Sequence, residues 1–329
     1  MRSLFQWGAL GGFLGSMLML AACSGGSELP AVGGSSLQTL HRNVAPRRSW
    51  MAHIDAKMPL VYVSDQQNNA IIVFNAKSGA VVGQIMGNGL DFPQGIFVDE
   101  KHNLWVANQL LHDVLVFARG STTPSETLDD SNGYAMDVTV CRNGTVYVTN
   151  NTSLSTGSGN IEVYAGGSTT PTGELIFPNL AYEYFLTCDR KGNIFSTITN
   201  LYFTNDVVEF KKGKQSGATD LNIPLNNVGA IKLDAAGNLL IDDQGTNTLT
   251  EYTEAGKATG KSIMLTGNVY DFAVTRSGAR VGGADLLKGT AYAWSWPGGT
   301  QQSVDYVDPN QNPGPFGFAY DPPRKGFGT

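Results

Sequence analysis

A unit of about 40 to 50 residues recurs along most of this 329-residue chain, and a period of that length confines it to repeat architectures. The clearest pair is VLVFARGSTTPSETL from Val114 and IEVYAGGSTTPTGEL from Ile161, which share an apolar strand, a Gly-Ser-Thr-Thr-Pro turn and a second strand. Weaker copies begin at Val207, Leu249 and Ala291. Ahead of each lies another element, in which an alternating strand and a charged turn ending in Gly or Asn lead to a further strand. It begins at Gly95, Asp137, Phe185, Ala230 and Asp271. The turn ends set a common register at His102, Gly144, Gly192, Gly237, Gly278 and Gly326.

Four short alternating strands per unit at this spacing predict an all-β, six-bladed β-propeller with four-stranded antiparallel blades. The last unit retains only GFAYDPP from Gly317, whereas LVYVSD, AIIVFN and AVVGQIM from Leu60, Ala70 and Ala80 lack an innermost strand. One C-terminal and three N-terminal strands are therefore expected to close the ring, removing an open sheet edge and giving one domain over residues 58–325. Forty glycines and a charged fraction of 15% suit many tight turns and exclude a helical bundle. The net charge of -6 supplies no general cationic field, so nucleic acid is not expected as a partner, and the chain is expected to be a monomer.

The N-terminus stands outside the repeat. Arg2 precedes an apolar run from Leu4 to Ala22, the pattern of a signal peptide over residues 1–22. Its end, Leu20-Ala21-Ala22-Cys23, resembles the lipobox of bacterial lipoproteins. That resemblance implies acylation of Cys23, anchorage to a lipid bilayer, and a place in the bacterial cell envelope facing the periplasm or exterior. Residues 23–57 are Gly-, Ser- and Pro-rich and read as a tether, in which Arg47-Arg48, followed by Trp50, form either a solvated linker pair or a contact with anionic lipid.

The stretch PQGIFVDEKHNLWVAN, followed by DVLVFARG, resembles an NHL repeat. The NHL propellers share a superfamily with gluconolactonases of the senescence-marker type and with streptogramin lyases, and it holds binders, scaffolds and enzymes alike. The resemblance implies a ligand site at the channel mouth, where chain enters each innermost strand. Candidate ligand-binding residues there are Tyr134, Asp137, Glu183, Tyr184, Tyr270 and Asp271, with Tyr182 and Phe316 adding rings. Amide and aromatic groups around a concavity suit an uncharged small molecule or glycan. Asp137, Glu183 and Asp271 could instead gather to hold a divalent cation such as calcium, as in a metal-dependent lactonase of the gluconolactonase type. The corresponding positions also carry Gln94, Asn227, Ala230 and Gly317, however, and Asp137 and Asp271 are equally able to bond backbone amides. The four histidines, His41, His53, His102 and His112, offer little for a His-centred site. No catalytic residue is assigned and no cofactor is required; the expected function is non-enzymatic binding of a small molecule, glycan or envelope protein.

Polar residues recurring at one register are read as structural. Asp65, Asn108, Asn150 and Asp243 end second strands, while Asp99, Asp189, Asp234 and Asp321 open turns. The loops joining second and third strands contain Leu110-Leu111, Leu201-Tyr202-Phe203 and Leu286-Leu287, either folded onto the core or exposed for a protein or lipid contact. Cys141 and Cys188 lie in neighbouring inner strands with a one-residue offset that turns them towards each other, so a disulfide is a candidate.

Overall fold

The computed structural model describes residues 48–302, 304–309 and 314–323, so the expected signal peptide and Cys23 lie outside the described residues. Six antiparallel sheets stand around a ring. The closing blade contains β1 (Trp50–Met51), β2 (Leu60–Asp65), β3 (Ala70–Asn75), β4 (Val81–Met86) and β25 (Pro315–Asp321). Blades one to five follow in chain order over residues 93–129, 133–175, 180–220, 228–264 and 269–307. Their innermost strands are β5 (Pro93–Val98), β9 (Gly133–Val140), β13 (Leu180–Cys188), β17 (Val228–Leu233) and β21 (Val269–Val274). Each inner strand packs against the next, and β21 packs against β25 to complete the circle.

Closure runs through β2 and β25, with Leu60 opposite Asp321 and Tyr62 opposite Ala319. The last residue of β25 is also clamped: the buried Asp321 carboxylate meets the Arg119 guanidinium and the His102 ring, both from blade one. Asp99, Asp189 and Asp234 each accept the backbone N–H four residues on, at 2.8, 2.7 and 2.8 Å, and so hold the turns between first and second strands. These turns form one face of the ring; the channel mouth, where the inner strands begin, lies on the other.

At three of the blade boundaries a hydroxyl near the end of the second strand joins neighbouring blades. Ser64 donates to the Gln94 carbonyl at 2.6 Å, and Thr197 to the Gly229 carbonyl at 3.0 Å. Thr149 likewise donates to the Tyr184 carbonyl. Blade four has Asp242 at this register, buried, with burial holding its carboxyl well above the usual range.

A tether extending to Lys57 is too long. Trp50 pairs with Gln84 and Met51 with Gly83, which adds a fifth strand to the closing blade. The Ser49 hydroxyl donates to the Met86 carbonyl at 2.7 Å and accepts from the Met86 N–H at 2.9 Å. Because β4 runs towards the mouth and β1 is antiparallel to it, the chain joins the ring at Arg48 on the mouth side. A two-residue strand is too short to show alternation, which is why composition alone placed it in the tether.

Candidate functional site at the channel mouth

An inner strand in such a ring has no solvent face. Its alternating side chains face the neighbouring blades on either side, in β5 Ile96 and Val98 towards the closing blade and Phe97 towards blade two, so a blade-specific residue here shapes the packing around the axis. Two residues before the turn position, five blades carry Phe97, Thr139, Thr187, Ala273 and Ala319, whereas blade four carries Lys232. Its ammonium lies 3.2 Å from Asp137 Oδ2 and 3.2 Å from Asp271 Oδ1. Asp137 is on blade two and Asp271 on blade five, at opposite positions of the six-membered ring, so this ion-paired bridge crosses the axis.

Both carboxylates also cap backbone. Asp137 accepts from the N–H of Val138 at 2.9 Å and, across the blade boundary, from Leu186 at 3.2 Å. Asp271 accepts from Phe272 at 2.9 Å and from Phe318 of the closing blade at 3.3 Å. One ammonium serves two fully buried carboxyls. Burial pushes Asp271 up to about 7, partly offset by Lys232 and reinforced by the charge of Asp137. Burial also raises Asp137, against the pull of Lys232. Conversely, the two carboxylates overcome the desolvation of Lys232 and hold its ammonium charged.

Aromatic rings form a second layer. Phe316 of the closing blade stacks on Phe185 of blade three, directly across the ring, with centroids 6.0 Å apart and planes at 18°. Tyr270 stacks on the same Phe316 at 5.7 Å and 15°. Tyr184 is buried beside Tyr182, with ring centroids 6.4 Å apart, and burial pushes its hydroxyl up to about 12. Tyr134 is half-buried against His112, at 4.7 Å edge to face. Of the candidate aromatic residues, Tyr134 and Tyr270 therefore keep partial access, while Tyr184 belongs to the core.

Glu183 does not join the other two acids. It lies fully buried at the boundary between blades two and three, where a Cβ on Gly159 would collide with the Glu183 backbone nitrogen. The nearby Ser196 hydroxyl donates to the Phe185 carbonyl at 2.8 Å and so relieves the Glu183 carboxyl only weakly. Burial pushes this carboxyl up to about 8, against the lowering effect of Ser196. The expected gathering of three acids is thus corrected: two converge on a lysine and the third is sequestered. Among the described residues, no group of three or more His, Cys, Asp or Glu side chains is placed to hold a metal ion. The donor set does not fit the divalent cation that the gluconolactonase resemblance implies, since Lys232 already sits between the two carboxylates.

Sequence inspection overlooked Lys232 because a single lysine in AIKLDAAGN reads as the polar half of an alternating strand. The signal that would have found it is its departure from the apolar or hydroxyl residues at the same register in the other blades.

Cys141 and Cys188 are joined by a disulfide with Cα atoms 5.6 Å apart, tying blades two and three together near the face opposite the mouth. Replacing both by alanine is expected to cost about 2–4 kcal/mol of unfolding free energy through the freed unfolded chain. Urea titration of the wild type and the double variant measures this, and coincident midpoints with equal slopes would contradict it.

No family model and no curated protein sequence matches this chain. Solved structures do. A chain of a nidogen/laminin complex aligns with a TM-score of 0.65 at 12% identity, over 80% of this chain and 98% of its own. The fold is that of a six-bladed β-propeller. Kuenenia stuttgartiensis hydrazine synthase aligns with a TM-score of 0.55 at 13% identity, over 69% of this chain and 77% of its own. A luciferin-regenerating enzyme aligns at 0.52 and 10%, over 68% and 78%. At such identities the likeness concerns the propeller alone, and propellers of this shape occur in a protein complex and in enzymes.

Proposed function

We propose that this propeller is a non-enzymatic binding module, anchored at a membrane outside the cytoplasm, that makes its contacts with the channel-mouth face. The observation that carries the reading is the double closure of the channel. The Phe185–Phe316–Tyr270 stack lies across one level and the Asp137–Lys232–Asp271 bridge across another. A substrate would have to displace packed rings to reach the two inner-strand acids, and it would find both already ion-paired to one ammonium. What the mouth offers instead is the half-buried rings of Tyr134, Tyr182 and Tyr270 and the loops around them. Anchorage rests on the Leu20–Cys23 motif behind its apolar run.

Two measurements on the intact protein test this reading. Its mass after isolation from membranes is expected to show cleavage before a diacylglyceryl-modified Cys23, and elemental analysis is expected to show no stoichiometric divalent metal. An unmodified N-terminus would overturn the anchorage. One bound metal per chain, removable with loss of lactone hydrolysis, would replace the binding role with the hydrolase.

A further inference from the structure

Among the described residues, the large exposed apolar side chains gather on one side of this propeller. Tyr202 and Phe203 are 77% and 76% exposed, and Leu111, Leu154 and Leu287 also stand out at the tips of mouth-side loops. Trp50, at the mouth-side end of the outermost strand, is exposed as well. These tips come from blades one, two, three and five, so they outline much of the rim rather than one spot. Single exposed apolar residues need no explanation, but a ring of them on one face does.

Charge is distributed the other way. In the loops that carry these tips, Lys288 is the one Lys or Arg. Exposed basic residues such as Lys101, Arg142, Arg190, Lys191 and Arg276 lie on turns of the opposite face. The chain leading from Cys23 reaches the propeller at Arg48, on the apolar side.

Taking the anchorage proposed above as given, we infer that the partner of the mouth-side rim is the bilayer itself: the tips at Leu111, Leu154, Tyr202–Phe203 and Leu287 rest in the interfacial layer, with the basic face turned away. Aromatic and leucine side chains are suited to that layer, and exposed carboxylates, which these tips lack, would oppose entry. An acylated residue upstream of Arg48 brings this side against the lipid without the chain having to wrap around the propeller. Many shallow contacts on a tethered body add through effective concentration, so none needs to bind strongly alone.

The test uses the full chain reconstituted into phosphatidylcholine vesicles containing bromine-labelled acyl chains. Two variants, Phe203→Cys and Lys191→Cys, each carry an environment-sensitive fluorophore; both sites are exposed, so neither substitution disturbs packing. The inference expects quenching at position 203 to exceed that at 191 several-fold. If the protein floats with the vesicles but neither label is quenched, lipid docking is wrong while anchorage stands, and a protein partner becomes the occupant to seek. Quenching at 191 but not 203 overturns the inference in favour of the basic face. Failure to float with vesicles overturns the anchorage and the docking together.

Discussion

Replacing Lys232 by methionine is expected to destabilise the folded protein by at least about 3–5 kcal/mol at neutral pH. The variant keeps the length of the side chain and removes its charge, leaving Asp137 and Asp271 facing each other in the closed channel with only backbone N–H donors. Both carboxyls then bind protons more tightly in the folded than in the unfolded chain. A folded pKa raised above the unfolded value of about 3.9 gives stability that is present below that value and lost as pH rises. The deficit should therefore be small near pH 4 and grow towards pH 8, which urea titrations at the two pH values would show. A loss below about 1 kcal/mol, or one independent of pH, would mean that the lysine is not the counter-charge of this pair.

Glu183 gives the second large effect, with the opposite outcome for its variant. Its carboxyl is pushed up to about 8 in the fold, against a value near 4.5 when exposed. Below the lower value both states are protonated. Between the two, the unfolded chain has lost its proton and the folded chain keeps it, so stability falls as pH rises and reaches its floor above about 8. At about 1.4 kcal/mol per unit, the loss across that window is on the order of 5 kcal/mol. Glu183→Gln places a neutral group of the same shape in the same space and removes this dependence. It should match the wild type near pH 5 and exceed it near pH 8. Parallel stability profiles for the two proteins would show that the carboxyl is ionised in the fold.

The ring was legible in the sequence because each blade repeats the same physical problem. Alternating strands, a turn acid such as Asp99 or Asp189, and a glycine or asparagine in the turn recur at one spacing, and strands left over at the two ends require each other. The contents of the channel were harder to read. Lys232 obeys the local alternation, and only comparison of equivalent positions across blades marks it as foreign. Asp137 and Asp271 drew attention as acids, but whether acids on separate blades meet a metal, a ligand or a lysine depends on which residues face them across the axis. Glu183 is set off from the rest of its strand by a register shift between it and Leu186, and strand bulges of that kind leave no clear periodic trace. The loop leucines and Phe203 admitted two readings because a loop sequence does not state whether its tip folds inward.

The fold also separates what the net charge averages. An acidic chain places many of its exposed basic groups on one face and its exposed apolar groups on the other, so -6 describes neither surface. With the channel closed across its axis, the proposed contacts would fall on these faces rather than in a pore.

The most direct test of this account is amide hydrogen exchange of the intact chain, free and reconstituted in phosphatidylcholine vesicles. Slowed exchange is expected in the mouth-side loops over residues 109–113, 151–159, 200–205 and 286–289, with the inner strands equally protected in both states. Slowing confined to the turns of the opposite face, or fast exchange in the inner strands of the free protein, would contradict it.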